Sequence, residues 1–526
     1  MGARNVTQTL RGALVLSSAA FIAKVLSAIY RVPFQNLVGD TGFYVYQQVY
    51  PLYGIGMTLA LSGLPVFISK LVADAPDLAS QQWVARRVYH WTLGLAVGLF
   101  LALQLGAPGL ALGMGDTRLT ALIRMVSWMF LVMPELAVSR GYYQGRLQMF
   151  PTARSQVIEQ LVRVVIILVV AWWATTHDWS VYAMGTGTMV SGTLAALAAW
   201  AALPHWRRPV SGPVTATPHL GRRLLVEGGT LCLLTAIMVV LQLIDSFTVK
   251  NGLVAGGMSN SAAKSLKGVY DRAQPLVQLG LVVAVAFATS LLPALTSAAH
   301  HRQAQTFKRL TTTMMRLALV IATAASAGLI TLMPWINQLL FGDAKGTEML
   351  AIYMGSIVFA TLIQTYNSVL QSRNQFKLTV VALLSGLVVK ASVNQTAVHL
   401  WGGLGASLVT VGSLAVMTAI IWFGSAPQLR RGIWTVAFGV KLIGCLAGMV
   451  ATVTIAKLSL QALIPALTQS RLAIGGALVV VIGVGVVVFI VAALSCRLLT
   501  VREWLTLPHA AGLLRYWQKL TQHGGK

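Results

Sequence analysis

The sequence predicts an all-α integral membrane protein with 14 transmembrane helices, and three observations indicate this fold class. Hydrophobic residues make up 56% of the 526 residues and charged residues only 10%, whereas soluble domains contain about 25% charged residues. Most of the chain lies in apolar runs that are long enough to cross about 30 Å of hydrocarbon. The 39 Lys and Arg residues, against 13 Asp and Glu, lie mainly in short tracts between these runs, which is typical of cytoplasmic loops.

Apolar windows bounded by charges, Gly and Pro define the predicted spans in chain order. They cover residues 11–31, 43–70, 88–113, 120–141, 156–176, 180–203, 225–249, 274–298, 312–340, 349–372, 377–397, 401–424, 433–457 and 472–497. The basic tracts fall mostly on one side of this arrangement, so both termini are expected to be cytoplasmic. Their scattered placement between spans also argues against a nucleic-acid partner, although the net charge is +26.

An internal repeat organises these spans. "YYQGRLQMF" at 142–150 aligns with "VLQSRNQFK" at 369–377 at a shift of 227, and the same shift places Arg163 on Lys390. Matching positions in matching spans indicate duplication of a six-helix unit. Because six is even, the two copies insert with the same orientation, as parallel repeats of transporters do.

The repeat predicts four parts of the chain. They are an N-terminal lobe at 1–203, a basic cytoplasmic linker at 204–224, a C-terminal lobe at 225–424, and two additional helices with a cytoplasmic tail at 425–526. The linker is rich in Pro and Arg, which is typical of a tether between lobes.

Several charged residues fall inside or next to the predicted spans. A charge at the bilayer centre costs about 2.5–3.5 kcal/mol on insertion scales, so it usually faces a partner or a water-filled cavity. Lys24 and Arg31 lie two helical turns apart on one face of the first span. Asp245 lies near the end of span 7, and Asp271 and Arg272 precede span 8. These residues predict one cavity with three cations and two carboxylates.

Other polar residues extend this predicted site. Gln274 and Gln278 share a helix face with Asp271, and Gln364 and Asn367 are one turn apart in span 10. The complete set of predicted substrate-binding residues is Lys24, Arg31, Asp245, Asp271, Arg272, Gln274, Gln278, Gln364, Asn367 and Lys390.

The two repeat-related cations receive different interpretations. Glu159 and Arg163 have i, i+4 spacing, which favours a neutralising pair on one helix. Lys390 has Gly386 in place of such an acid, so it is expected to face the cavity.

The sequence lacks the motifs of most enzyme classes. It contains neither a Walker A sequence nor a catalytic constellation, and its His and Cys residues do not have metal-ligand spacing. We therefore expect a protein that is not an enzyme, with no catalytic residue, cofactor, metal or ATP site. The membrane potential, a gradient of a coupled monovalent ion or the substrate's own gradient is expected to supply the energy.

The predicted cavity favours an anionic substrate. Arg binds phosphate oxygens through its planar fork, and the first span contains cations but no acid. An inside-negative potential favours moving an anion outward by about 2.3 kcal/mol per charge per 100 mV. A diphosphate-linked lipid fits these properties. A multidrug exporter for cations would need carboxylates in the first span, and a non-transporting scaffold has no need for buried charges.

The sequence resembles a known family along nearly the whole chain, and two stretches carry this resemblance. "GFYVYQQVYPLYGIGMTLALSGLPVFISKL" at 42–71 and "KGVYDRAQPLVQLG" at 267–280 resemble the MurJ-type lipid II flippases and SpoVB-like polysaccharide biosynthesis proteins. These belong to the MOP (multidrug/oligosaccharidyl-lipid/polysaccharide) exporter superfamily. The resemblance implies a MATE-like fold in the bacterial cytoplasmic membrane and alternating access between two lobes. It also implies that the two additional helices form a groove for a polyprenyl tail.

The resemblance further implies a function and partners. The expected substrate is a lipid-linked anionic glycan precursor, flipped from the inner to the outer leaflet among membrane lipids, with cell-wall synthesis machinery as a partner. Lipid II is one such precursor; an exopolysaccharide or teichuronic precursor is the nearest alternative, and an ion-coupled multidrug exporter is the more distant one.

The family's cavity arginines map unequally onto this sequence. The arginine of span 8 falls on Arg272, and that of span 1 falls on Tyr30, next to Arg31. The arginine that other members carry in span 2 falls near Ile55 and has no equivalent here. The family's three-arginine arrangement is therefore not reproduced, and Lys24 is the candidate to compensate for the missing charge.

Overall fold

The computed structural model describes residues 3–207, 212–215, 219–289, 291–373, 377–430, 432–464, 470–506 and 512. Within these ranges the chain is almost entirely helical. Parts of the predicted linker, residues 374–376 of the repeat motif and most of the predicted tail lie outside the described residues.

The helices of the first half are α1 (Ala3–Ile29), α2 (Arg31–Thr58), α3 (Leu64–Asp74), α4 (Leu78–Gly113), α5 (Thr120–Gly145), α6 (Met149–Thr176), α7 (Val181–Ala201), α8 (Leu220–Arg223), α9 (Gly229–Ala255) and α10 (Asn260–Asp271). Those of the second half are α11 (Ala273–Thr289), α12 (Leu292–His300), α13 (Ala304–Phe341), α14 (Thr347–Met354), α15 (Ser356–Gln371), α16 (Lys377–Gly424), α17 (Pro427–Arg430), α18 (Val436–Leu463), α19 (Arg471–Ser495) and α20 (Val501–Trp504). Short π-helical turns connect α2 to α3 and α8 to α9.

The helices correspond to the predicted spans. Among the described residues, 11 helical segments are long and apolar enough to cross a membrane. Two of them contain two predicted spans each, because Gly39 (φ 68°) and Gly402 (φ 57°) interrupt the helical backbone of α2 and α16. Glycine adopts such positive φ angles without a Cβ clash. With α11 and α12 covering the predicted span 274–298, the all-α membrane fold is confirmed.

Polar side chains cap the N-terminal ends of several helices. Asp77 accepts a hydrogen bond from the Ser80 backbone N–H at 2.8 Å at the start of α4, and Ser180, Ser259 and Thr435 cap α7, α10 and α18 in the same way. Such residues satisfy backbone donors that the first helical turn leaves unpaired. The polar residues between apolar runs therefore set where the helices begin.

The chain packs as two compact units. The first comprises Met1–Pro275 with Leu387–Thr410, and the second comprises Leu276–Gly386 with Val411–Lys526. In the first unit α1 packs on α6, α3 and α4 pack on α5, and α2 packs on both α9 and α10. In the second unit α13 packs on α15, α18 and α19. The division into lobes at 203 and 225 stays a prediction.

Glycines permit close helix packing in the first unit. A Cβ on Gly141 would lie 2.6 Å from the Ile68 side chain, and a Cβ on Gly145 would lie 2.6 Å from the Ser69 carbonyl oxygen. These glycines bring α5 against α3, since small residues let membrane helices approach each other closely.

Candidate functional site

The first unit contains a set of charged side chains, mostly buried, that we call the ionic cluster. Its members come from α2, α9, α10, the residue after α10, and α16. They are Arg31, Asp40, Asp245, Lys267, Asp271, Arg272 and Lys390. Four of the predicted substrate-binding residues, each on a different helix, are thus brought into one unit together with Arg272, which follows α10.

Arg272 pairs with Asp40 across 232 positions of sequence. The Arg272 Nη2 lies 2.5 Å from Asp40 Oδ1, and the same oxygen accepts a hydrogen bond from Gln35 Nε2 at 2.8 Å. Asp40 follows the break in α2 at Gly39. A Cβ on Gly268, one turn before Arg272, would lie 2.1 Å from the Asp40 carbonyl oxygen. Glycine at 268 therefore lets α10 approach α2 closely enough for this pair to form.

Replacing Gly268 with Ala is expected to destabilise the protein by about 1–3 kcal/mol, because the added methyl group meets backbone that cannot rotate away. Thermal unfolding in detergent checks this. Gly98→Ala is the matched control: no heavy atom of a neighbour lies within 4 Å of its Cβ position, and Ala favours a helix. Equal unfolding midpoints for the two variants would contradict the close approach.

Lys267 and Asp271 form a second buried pair. The Lys267 Nζ lies 2.6 Å from Asp271 Oδ1, at i, i+4 on α10. Asp271 also lies close enough to Asp245 and Arg31 to interact with them electrostatically. The ion pair of Asp271 is nevertheless with Lys267 and not with Arg31.

Lys390 and Asp245 form a third pair, and both side chains are almost completely buried. The Lys390 Nζ lies 2.8 Å from Asp245 Oδ2 and 2.9 Å from Thr410 Oγ1. Asn394 Nδ2 donates to Asp245 Oδ1 at 3.0 Å, and Tyr270 Oη donates to Asp245 Oδ2 at 3.1 Å. The expectation that Lys390 faces an open cavity is not met in this conformation, because its ammonium group is enclosed by an ion pair and hydroxyl groups.

Arg31 is buried and has no carboxylate partner among the described residues. Its guanidinium lies 4.4 Å from the centre of the Tyr50 ring, an arrangement that partly compensates a desolvated cation. Tyr50 belongs to a group that we call the tyrosine cluster: Tyr30, Tyr46, Tyr50 and Tyr53.

The predicted pair of Glu159 and Arg163 does not form. Glu159 Oε2 instead accepts from Arg140 Nη2 at 2.6 Å, and the same nitrogen also donates to Ser155 Oγ at 2.8 Å. The side chains of Arg140 and Glu159 are buried, at 0% and 2% exposed. Arg140 on α5 therefore takes the carboxylate that helical spacing had allotted to Arg163.

The other predicted residues belong to both units. Lys24 is exposed on α1, without an ion pair among the described residues. Gln274 is buried and accepts from Gln242 Nε2 at 2.5 Å. Gln278, Gln364 and Asn367 belong to the second unit, where Gln278 and Gln364 are half-buried and Asn367 is buried.

Charged groups also meet outside the candidate membrane spans. Asp116, between α4 and α5, has its Oδ2 2.7 Å from Lys264 Nζ and 2.6 Å from the Tyr182 hydroxyl. Burial alone would raise the pKa of Asp116, but hydrogen bonds from Lys264 and Tyr182 outweigh it and lower this pKa. Burial would lower the pKa of Lys264, but its hydrogen bonds to Asp116 and Tyr182 outweigh this effect and raise the pKa. Both groups therefore stay charged near neutral pH.

Sequence reasoning missed two charged residues of the ionic cluster, Asp40 and Lys267. Lys267 had a usable signal, since it precedes Asp271 by four residues on one helix. Asp40 had none, because its partner lies in a distant segment. Within the described ranges, no group of three or more His, Cys, Asp or Glu side chains is placed to hold a metal ion. The expectation of no cofactor stays a prediction.

The fold and the buried charges define a multi-pass α-helical integral membrane protein. The chain belongs to the polysaccharide biosynthesis protein family, whose model matches residues 9–299. It is 36% identical to the membrane protein YabM of Bacillus subtilis, with 98% of each chain covered. It is 25% identical to the lipid II flippase MurJ of Bacillus subtilis, covering 77% of this chain and 80% of that protein.

A solved structure shares the fold. The lipid II flippase MurJ in an inward closed conformation matches 92% of this chain and 99% of its own with a TM-score of 0.65, at 13% identity. The resemblance stated from the two sequence motifs, and the fold class that it implied, are confirmed.

Proposed function

We propose that this protein is a lipid II flippase, which moves undecaprenyl-diphosphate-linked peptidoglycan precursor from the inner to the outer leaflet by alternating access. One observation carries the proposal: the buried charges of the first unit are unbalanced. Arg272, Lys267 and Lys390 each pair with one carboxylate. Arg31 and Arg163 have no carboxylate partner among the described residues. Two unneutralised cations suit the charge of a diphosphate.

The residues have distinct roles in this proposal. Arg272 and Arg31 bind the diphosphate, since guanidinium groups match phosphate oxygens with paired hydrogen bonds. Lys24 offers an exposed ammonium group to the arriving headgroup. Asp271 and Asp245 hold the buried lysines in place until the substrate enters. Gln274, in the same unit, supplies a hydrogen bond to the sugar or phosphate oxygens.

The protein lies in the bacterial cytoplasmic membrane with both termini in the cytoplasm, and cell-wall biogenesis supplies its substrate. The inside-negative membrane potential favours outward movement of the anionic headgroup, so no nucleotide is consumed. The relationship to the lipid II flippase MurJ of Bacillus subtilis supports this choice of substrate.

A flippase for another lipid-linked oligosaccharide is the second candidate. The family to which this chain belongs is that of polysaccharide biosynthesis proteins. This description favours a wider range of glycans on the same diphosphate carrier. The two candidates share the cationic residues and differ only in the sugar.

The deciding experiment is complementation of a bacterial strain depleted of its lipid II flippase. Expression of this protein is expected to restore growth and to expose the precursor to a membrane-impermeant probe at the outer leaflet. Arg272→Ala at equal membrane abundance is expected to abolish both. Growth and exposure that are normal with Arg272→Ala would reject the role of Arg272. Restored export of a different lipid-linked glycan, without lipid II, would select the second candidate.

A further inference from the structure

Arg163 is a buried cation that the predicted site did not include. It lies on α6, which packs on α1, and it is 1% exposed. Its Nη2 donates to Ser27 Oγ at 3.1 Å and to Gln160 Oε1 at 2.9 Å. Its guanidinium lies 4.7 Å from the centre of the Tyr53 ring and 5.3 Å from that of Tyr30.

Arg163 and Arg31 both have unused hydrogen-bond donors. Nε and Nη1 of Arg163 and Nε of Arg31 are buried without an acceptor among the described residues. The nearest candidate acid in sequence, Glu159, is held by Arg140. A buried cation normally has a paired anion, because transferring an unpaired cation from water to the protein interior costs free energy. The two guanidinium groups therefore have free donors and, among the described residues, lack an anion to balance their charge.

The tyrosine cluster connects the two arginines. Arg31 stacks on Tyr50, whose ring centre is 5.7 Å from that of Tyr53, beside Arg163. The Tyr50 ring is also 5.8 Å from Tyr46, whose hydroxyl is 2.8 Å from that of Tyr30. The Tyr53 hydroxyl is buried without a partner among the described residues. One aromatic wall therefore joins both guanidiniums and offers a further hydroxyl donor.

The internal repeat supplies an independent contrast. The shift of 227 places Arg163 on Lys390, which Asp245 neutralises. The same shift places Ser18 on Asp245. The second copy thus carries its own acid for the repeat-related cation, and the first copy has a serine at the corresponding position. The first copy is the one that needs an anion from outside.

We propose that Arg163 and Arg31, with the tyrosine cluster, form an anion site between α1, α2 and α6 that takes a diphosphate group. The choice of diphosphate rests on the proposed function. Two planar guanidinium groups can each bind a phosphoryl group through paired hydrogen bonds, and tyrosine hydroxyls donate to the remaining oxygens. Arg163 is then a substrate-binding residue, contributed by α6.

The test uses the purified full-length protein in detergent with inorganic diphosphate as the probe, titrated by calorimetry. Arg163→Gln is expected to weaken binding at least about tenfold, since hydrogen bonds to charged groups have that effect on affinity. Arg163→Lys, which keeps the charge, is expected to bind diphosphate with an affinity between those of the native protein and Arg163→Gln. Arg118→Gln is the matched control, because Arg118 also stacks on a tyrosine, Tyr182, at 4.4 Å, but is 68% exposed.

The outcomes separate this inference from the proposed function. Diphosphate affinity that is unchanged in folded Arg163→Gln and Arg163→Lys overturns the anion site, even where Arg272→Ala abolishes precursor export. A lower unfolding temperature with unchanged affinity assigns Arg163 a structural role and overturns it equally. Conversely, Arg163-dependent diphosphate binding in a protein that exports no lipid-linked precursor supports the anion site and rejects the flippase.

Discussion

Replacing Lys390 with Met is expected to destabilise the protein by about 3–5 kcal/mol, the range observed when one partner of a buried ion pair is removed. The reason is that the Asp245 carboxylate would lose its ammonium partner in a site where both side chains are almost completely buried. Asp245→Asn should have an effect of the same order, because it leaves the ammonium group of Lys390 unpaired. Chemical unfolding in detergent, followed by tryptophan fluorescence, measures both effects.

The double variant of Lys390→Met with Asp245→Asn distinguishes a pair from two independent residues. Removing both charges is expected to recover most of the lost stability, since apolar or neutral replacements of a buried pair are often close to neutral. Lys441→Met serves as the control, because Lys441 lies exposed on α18 and should change stability by less than about 0.5 kcal/mol. Additive losses in the double variant would disprove the coupling.

Exchanging the charges of Arg272 and Asp40 is expected to separate stability from transport. Asp40→Arg alone would place two guanidinium groups where the structure has a 2.5 Å ion pair. We expect a loss of about 2–5 kcal/mol, as for other buried charge pairs that lose a partner. Precursor export should be lost as well, because Arg272 could no longer be held in its present position.

The double variant of Asp40→Arg with Arg272→Asp restores an attractive pair in reverse. Its stability is expected to approach that of the native protein, whereas export should remain at least about 100-fold lower, because a carboxylate now stands where the diphosphate binds. Export is measured with the leaflet-accessibility assay, and stability by unfolding of the same preparation. Recovery of export together with stability would show that Arg272 acts only through its ion pair.

The fold was predictable because it depends on a local property. Apolar segments of sufficient length must form helices in a bilayer, since every backbone polar group has to be satisfied internally. Composition and charge boundaries therefore predicted all the spans. The two interruptions at Gly39 and Gly402 fall at the predicted boundaries between spans 1 and 2 and between spans 11 and 12.

The candidate site was predictable only in part. Asp245, Asp271 and Arg272 stood out because charges are rare in such segments. Their partners were harder to identify. Helical spacing favoured Glu159 for Arg163, yet Arg140 on another helix competes successfully for that carboxylate. Sequence spacing reports contacts within one helix, whereas the pair of Arg272 and Asp40 depends on how two helices pack.

The ammonium group of Lys390 is covalently attached to α16, which is one of the helices that form its site. A dissolved alkali ion beside a carboxylate can be exchanged for another ion from either solution, so its concentration on each side can drive a transport cycle. The lysine cation cannot dissociate into either compartment. The cation that pairs with Asp245 therefore belongs to the chain itself, and a dissolved sodium or potassium ion does not fill this position.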